Sequence, residues 1–172
     1  MRVLGIDPGT AVLGFGVVDA GPSGTRLVEC GVLSTRPRDS LPARLRLIHD
    51  GVRELIDRHR PDAMAVESVF YARNVRTTMV MSHARGVILL AAEEAGLPLA
   101  EYTPAMVKKT VVGRGAALKP QVGYMVAQLL RLRAPPAPHD AADGVALALT
   151  HVLRCRGPRP RLLPRPVARV VR

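Results

Sequence analysis

The spacing of apolar residues changes several times along the chain, and each change marks an element. Residues 2–7, RVLGID, form an apolar run closed by Pro8 and Gly9, and they read as a strand. LGFGVVDA (13–20) reads as a second strand. A GPSG turn leads to a third, TRLVECGVLST (25–35). Connections this short predict an antiparallel meander. Leu41, Leu45, Ile48, Val52, Leu55 and Ile56 then recur at helical spacing, with Arg44, Arg46, Arg53 and Glu54 between them. That spacing predicts an amphipathic helix ending near His59–Pro61. AMAVES (63–68) is a short buried strand closing on Glu67.

From Asn74 to Ala95 a helical pattern with a broad apolar face (Val75, Met79, Val80, Ala84, Val87, Ile88, Ala91) runs to a stop at Gly96-Leu97-Pro98. LAEYT (99–103) is a fifth strand, and Pro104 suits the first turn of the next helix. GRGAALK (113–119) reads as a glycine-bearing loop, and residues 120–133 return to helical period. After Pro135, Pro136 and Pro138 comes HDAADGVALALTH, a buried apolar helix opened by two aspartates three residues apart. Three strands followed by alternating helices and strands predict an α/β fold: a mixed five-stranded sheet, its first three strands antiparallel, with helices on both faces. Residues 155–172 differ, holding six arginines, four prolines and no acid. They read as a disordered basic tail after a folded domain at 1–154.

Composition narrows the partners. The chain of 172 residues is 48% hydrophobic but only 3% aromatic, so its core must come from aliphatic residues, Ala and Met. A net charge of +11 points to a polyanion, either nucleic acid or an anionic membrane surface. Cys30 and Cys155 fit neither a metal spacing nor a disulfide framework, and no apolar run is long enough to span a bilayer. The expectation is a cytoplasmic protein that does not enter membranes. No Ser/His/Asp or Cys/His arrangement suggests a protein nucleophile.

Buried acids need partners. Asp140 and Asp143, at i and i+3, share one helix face. Asp7 and Glu67 end two strands, and if those strands are neighbours both side chains emerge at one sheet edge. Four converging carboxylates would raise one another's pKa values, and all-oxygen ligation by Mg²⁺ or Mn²⁺ would remove the conflict. Each acid also has a plainer reading. Asp140 fits a helix N-cap, Asp143 a first-turn charge favourable to the helix dipole, Asp7 an Asp-Pro-Gly turn, and Glu67 a strand-end charge in solvent.

GIDPGTAVLGFGVV, ESVFYARNVRTTMVMSHARG, VKKTVVGRGAALKPQV and HDAADGVALALTH together resemble the RuvC family of Holliday-junction resolvases, in order and over residues 1–154. The resemblance implies an RNase H-like fold, a homodimer, and metal-dependent nicking of two opposed strands of like polarity in a four-way DNA junction. The ends left would be 5′-phosphate and 3′-hydroxyl. It assigns Asp7, Glu67, Asp140 and Asp143 to an acidic tetrad holding two Mg²⁺ (or Mn²⁺) ions. His139 stands beside Asp140 as a further ligand candidate, since some relatives carry histidine at the first acid of this motif. Lys108 and Lys119 match basic positions near the scissile phosphate, with Lys109 and Arg114 as weaker backbone contacts. Phe70 matches an aromatic that stacks on a base near the crossover, and such stacking contributes about 1–3 kcal/mol. Tyr71, Arg73, Asn74 and Arg76 follow as junction contacts.

The helix from Asn74 resembles the family's dimer element, although its apolar face would equally suit burial in its own core. The RuvA and RuvB branch-migration complex is the implied protein partner. An ATP-binding fold of the actin and hexokinase class shares the first motif but needs two domains around a cleft. A non-catalytic nucleic-acid module would not need the acids. The smaller YqgF-type nucleases fit less well, because the long aromatic-bearing connection after Glu67 and the lysine-bearing segment match RuvC.

Overall fold

The structure is a computed structural model, and it describes residues 1–68 and 75–155, the side chains of 75–77 excepted. In chain order come β1 (Arg2–Asp7), β2 (Val12–Gly21), β3 (Gly24–Ser34), α1 (Leu41–His59), β4 (Ala63–Glu67), α2 (Val75–Glu94), β5 (Leu99–Tyr102), α3 (Pro104–Val112), α4 (Lys119–Leu129) and α5 (His139–Arg154). The strands form one five-stranded sheet in the order β3-β2-β1-β4-β5. The first three are antiparallel, as their short turns require, while β1 pairs with β4 and β4 with β5 in parallel. A parallel pair is buried on both faces, which is why β4 reads as an unbroken apolar run up to Glu67.

Strand alternation divides the core in two. Leu4, Ile6, Leu13, Phe15, Val17, Met64 and Val66 lie in one cluster with Ile48, Val52 and Leu55 of α1 and Ala84, Ile88 and Ala91 of α2. The Ser40 hydroxyl accepts from the Ala43 amide at 3.4 Å to cap α1, and Arg60 ends the helix in the left-handed region at φ 47°. The apolar face of α2 is broader than this core can cover. Ala84, Ile88 and Ala91 are buried, whereas Met79 and Leu90 on the outer side are 59% and 50% exposed.

On the opposite face Val3, Val18 and Ala65 join Val145, Ala146, Ala148 and Leu149 of α5, with Val107 and Val111 of α3 and Val122 and Val126 of α4 around them. Here α5 comes very close to the sheet. A Cβ at Gly14 would stand 1.9 Å from the Asp140 carbonyl oxygen. One at Gly16 would stand 2.5 Å from the Val145 Cα, and one at Gly144 would stand 2.6 Å from the Phe15 backbone. Only glycine permits such contact between helix and strand backbones.

Three local expectations are corrected. Pro138, not Asp140, occupies the N-cap of α5, and Asp140 lies in the first turn. Lys119 is the first residue of α4 rather than the last of a loop. Helical spacing continued to residue 133, yet α4 stops at Leu129. Arg131 there turns left-handed (φ 54°), and the Leu132 amide donates back to the Ala127 carbonyl at 2.8 Å.

Candidate metal centre

Strand parity places the first two acids. Leu4 and Ile6 face α1 and α2, so Asp7 turns with Val3 towards α5. In the same way Ala65 faces α5, and Glu67 shares its side. The parallel register Ile6↔Val66 sets both residues at the ends of adjacent strands. The first turns of α5 then bring Asp140 and Asp143 over this edge, held there by the glycine contacts. Carboxylate oxygens of Asp7, Asp140 and Asp143, all half-buried, lie within 4.8 Å of one another.

The electrostatics reflect the crowding. Burial pushes the Asp7 carboxyl up to about 7, and the charges of Glu67, Asp143 and Asp140 add to the rise while Lys119 opposes it. Glu67 is also raised, first by burial and then by Asp143, against the pull of Lys119 and Lys108. Glu67 flanks the trio without belonging to it. His139, exposed at the first position of α5, also lies outside it.

Two helices deliver the basic side chains. The Thr103 hydroxyl accepts from the Met106 amide at 3.2 Å, capping α3, which carries Lys108 within electrostatic reach of Glu67. From the first turn of α4 the Lys119 ammonium donates to Asp143 Oδ2 at 2.5 Å. The contact raises the Lys119 pKa. Lys109 and Arg114 are exposed. Phe70, Tyr71, Arg73, Asn74 and the side chain of Arg76 lie outside the described residues, as does the chain from 156 onward.

An all-oxygen donor set of carboxylates, in which burial and then neighbouring charge raise Asp7 and Glu67, suits a hard divalent cation better than a soft one. The acids are legible in the sequence, but the means of bringing them together is not. Gly14 and Gly16 have the same parity on β2, and Gly144 directly follows Asp143. Glycines at such positions signal close backbone approach.

The family model of the crossover junction endodeoxyribonuclease RuvC matches residues 3–151. The chain belongs to the RuvC family. It is 53% identical over 156 residues to the RuvC of a Parafrankia species, covering 90% of this chain and 87% of that protein. The solved Thermus thermophilus RuvC superposes with a TM-score of 0.84 at 40% identity, covering 91% of this chain and 96% of the other. The same protein in complex with Holliday junction substrate gives 0.83 at 38% identity, with the same coverage. RuvC proteins are metal-dependent endonucleases, and the mixed sheet with its acidic edge is their RNase H-like fold. No helix among the described residues is long and apolar enough to cross a membrane.

Proposed function

We propose that this RuvC chain resolves four-way DNA junctions with Asp7, Glu67, Asp140 and Asp143 as its metal-holding catalytic acids. The observation that carries the reading is the meeting of Asp7, from the first strand, with Asp140 and Asp143, from the last described helix, at one sheet edge. These side chains would hold two divalent cations, Mg²⁺ or Mn²⁺, which would supply activation of the attacking water and charge neutralisation at the departing 3′-oxygen. The protein's own part is to fix four oxygen-donor side chains on rigid elements and to keep them partly desolvated. Half-burial strengthens each electrostatic contact there, and the products are 5′-phosphate and 3′-hydroxyl ends.

A phosphodiester carries negative charge into a negative pocket, so cationic side chains must offset the repulsion. Lys108 and Lys119 are placed to do so beside the acids, with Lys109 and Arg114 further out. Phe70 is assigned to base stacking, and Tyr71, Arg73, Asn74 and Arg76 to junction contacts. Exposed Met79, His83, Gly86 and Leu90 recur on one side of α2. That stripe supports a two-fold homodimer, whose paired sites would suit the approximate two-fold symmetry of a junction. Residues 1–154 act as the nuclease domain, and the basic tail adds non-specific affinity for DNA. The RuvA and RuvB branch-migration complex is the partner that would deliver the junction in the cytoplasm.

The test is to incubate the protein with a mobile synthetic junction and with matched linear duplex, with and without Mg²⁺ or Mn²⁺. Paired nicks confined to the junction, dependent on the ion and lost in Asp7→Asn, are the expected result. Metal-independent cutting, or equal cutting of the duplex, contradicts the reading.

A further inference from the structure

Lys119 is in the wrong place for a residue whose sole business is a phosphate. Its ammonium already contacts Asp143, an acid of the proposed metal site. Among the described residues it is the cation whose ion pair reaches the trio, since no other ion pair formed by these residues involves Asp7, Asp140 or Asp143. We propose that Lys119 is the built-in counter-ion of the metal-free site, and that an entering divalent cation displaces its ammonium from Asp143. The inference rests on the reading of these carboxylates as metal ligands.

Three features make the exchange physically reasonable. Like charges held within a few ångströms repel strongly in a half-buried setting, so the metal-free cluster needs compensation. Lys119 supplies one positive charge at a carboxylate of that cluster. Its side chain is 63% exposed while that of Asp143 is 19% exposed, so the ammonium can swing into solvent without opening the core. Its backbone is fixed meanwhile. Gln121 accepts from the Leu118 amide at 2.9 Å across the first turn of α4, and Pro120 stiffens the same turn. A displaced ammonium therefore stays at the rim of the acids, where an arriving phosphate would meet it. The carboxylates keep a positive charge beside them at every stage, and the lysine changes partner rather than protonation state.

The experiment measures Mn²⁺ binding to the protein without DNA, from the electron paramagnetic resonance signal of free Mn²⁺. The proteins compared are the parent, Lys119→Gln, Lys119→Met, Lys108→Gln and Asp143→Asn. Both Lys119 variants should bind Mn²⁺ at least about five-fold more tightly than the parent, the lower end of an ordinary coupling between two sites. Lys108→Gln removes the same charge without the contact, and its gain should be less than about two-fold. Binding that is unchanged or weaker in both Lys119 variants, or a gain in Lys108→Gln equal to theirs, overturns the counter-ion role while leaving the metal site intact. Absence of any Asp143-dependent Mn²⁺ binding in the parent would instead overturn the metal-site reading, and the inference with it. Thermal unfolding at saturating Mn²⁺ confirms that each variant is folded.

Discussion

Leu4 and Ile6 of β1 share a core with the long side chains of Ile48, Val52 and Leu55, whereas their neighbour Gly5 lies almost against the backbone of α5. The first face is filled by side-chain volume, whereas on the second, where α5 crosses the glycines, backbone meets backbone. Large aliphatic side chains tolerate small adjustments, because a neighbouring rotamer can shift. Backbone contact across Gly5, Gly14, Gly16 and Gly144 has no such slack. The acids stand on the second face, and their separation is fixed by that contact. Stability is therefore spread over both faces, while the proposed chemistry depends on one.

The largest effect should come from Asp7→Asn. Junction cutting should fall by a thousand-fold or more, about 4 kcal/mol, while junction binding in a gel-shift assay persists. Cutting retained by that variant would separate the acids from the reaction. On the other face Leu55→Ala should cost about 2–5 kcal/mol in urea unfolding, yet the folded fraction should cut at the parent rate. Loss of cutting without loss of folding there would erase the distinction between the faces. Gly144→Ala should lower stability by about 1–3 kcal/mol and reduce cutting in the folded protein as well, since α5 must move and take Asp143 with it. Unaltered cutting would show that the close approach does not set the site.

Smaller effects are expected at the far end of α5. There the Tyr102 hydroxyl and His151 Nδ1 are 2.9 Å apart in the core, and Tyr102→Phe should cost about 1 kcal/mol. Burial holds the His151 pKa below its usual 6.5. The folded state then binds fewer protons than the unfolded state just below pH 6.5. The contribution of His151 is accordingly complete above pH 6.5 and is lost as pH falls from there through its lowered folded value. Urea unfolding of parent and His151→Gln between pH 7.5 and about 5 checks this, and the variant should show the shallower slope.

The elements of the first face were easy to read. Ile48, Val52 and Leu55 repeat at helical spacing because one side of α1 meets the sheet, and that regularity survives in the letters. Glu67 and Asp7 could be placed at strand ends for the same reason. That those strands are neighbours was a condition, because pairing between distant strands leaves no local mark. The left-handed turn at Arg131 leaves no mark in the sequence, since an arginine there gives no sign of unusual backbone. Lys119 was recognised as chemically important through resemblance, but its contact with Asp143 depends on how α4 settles against α5. Spacing along the chain does not contain that information.

The position of α5 in the chain has a consequence for synthesis. Asp7 emerges from the ribosome early, on the first strand, but its companions Asp140 and Asp143 belong to the last helix described, and that helix completes the second core. A nascent chain therefore carries an unfinished blade. On the proposed assignment it cannot cut DNA while it is being made, and the step that would arm the nuclease is the same step that closes its fold.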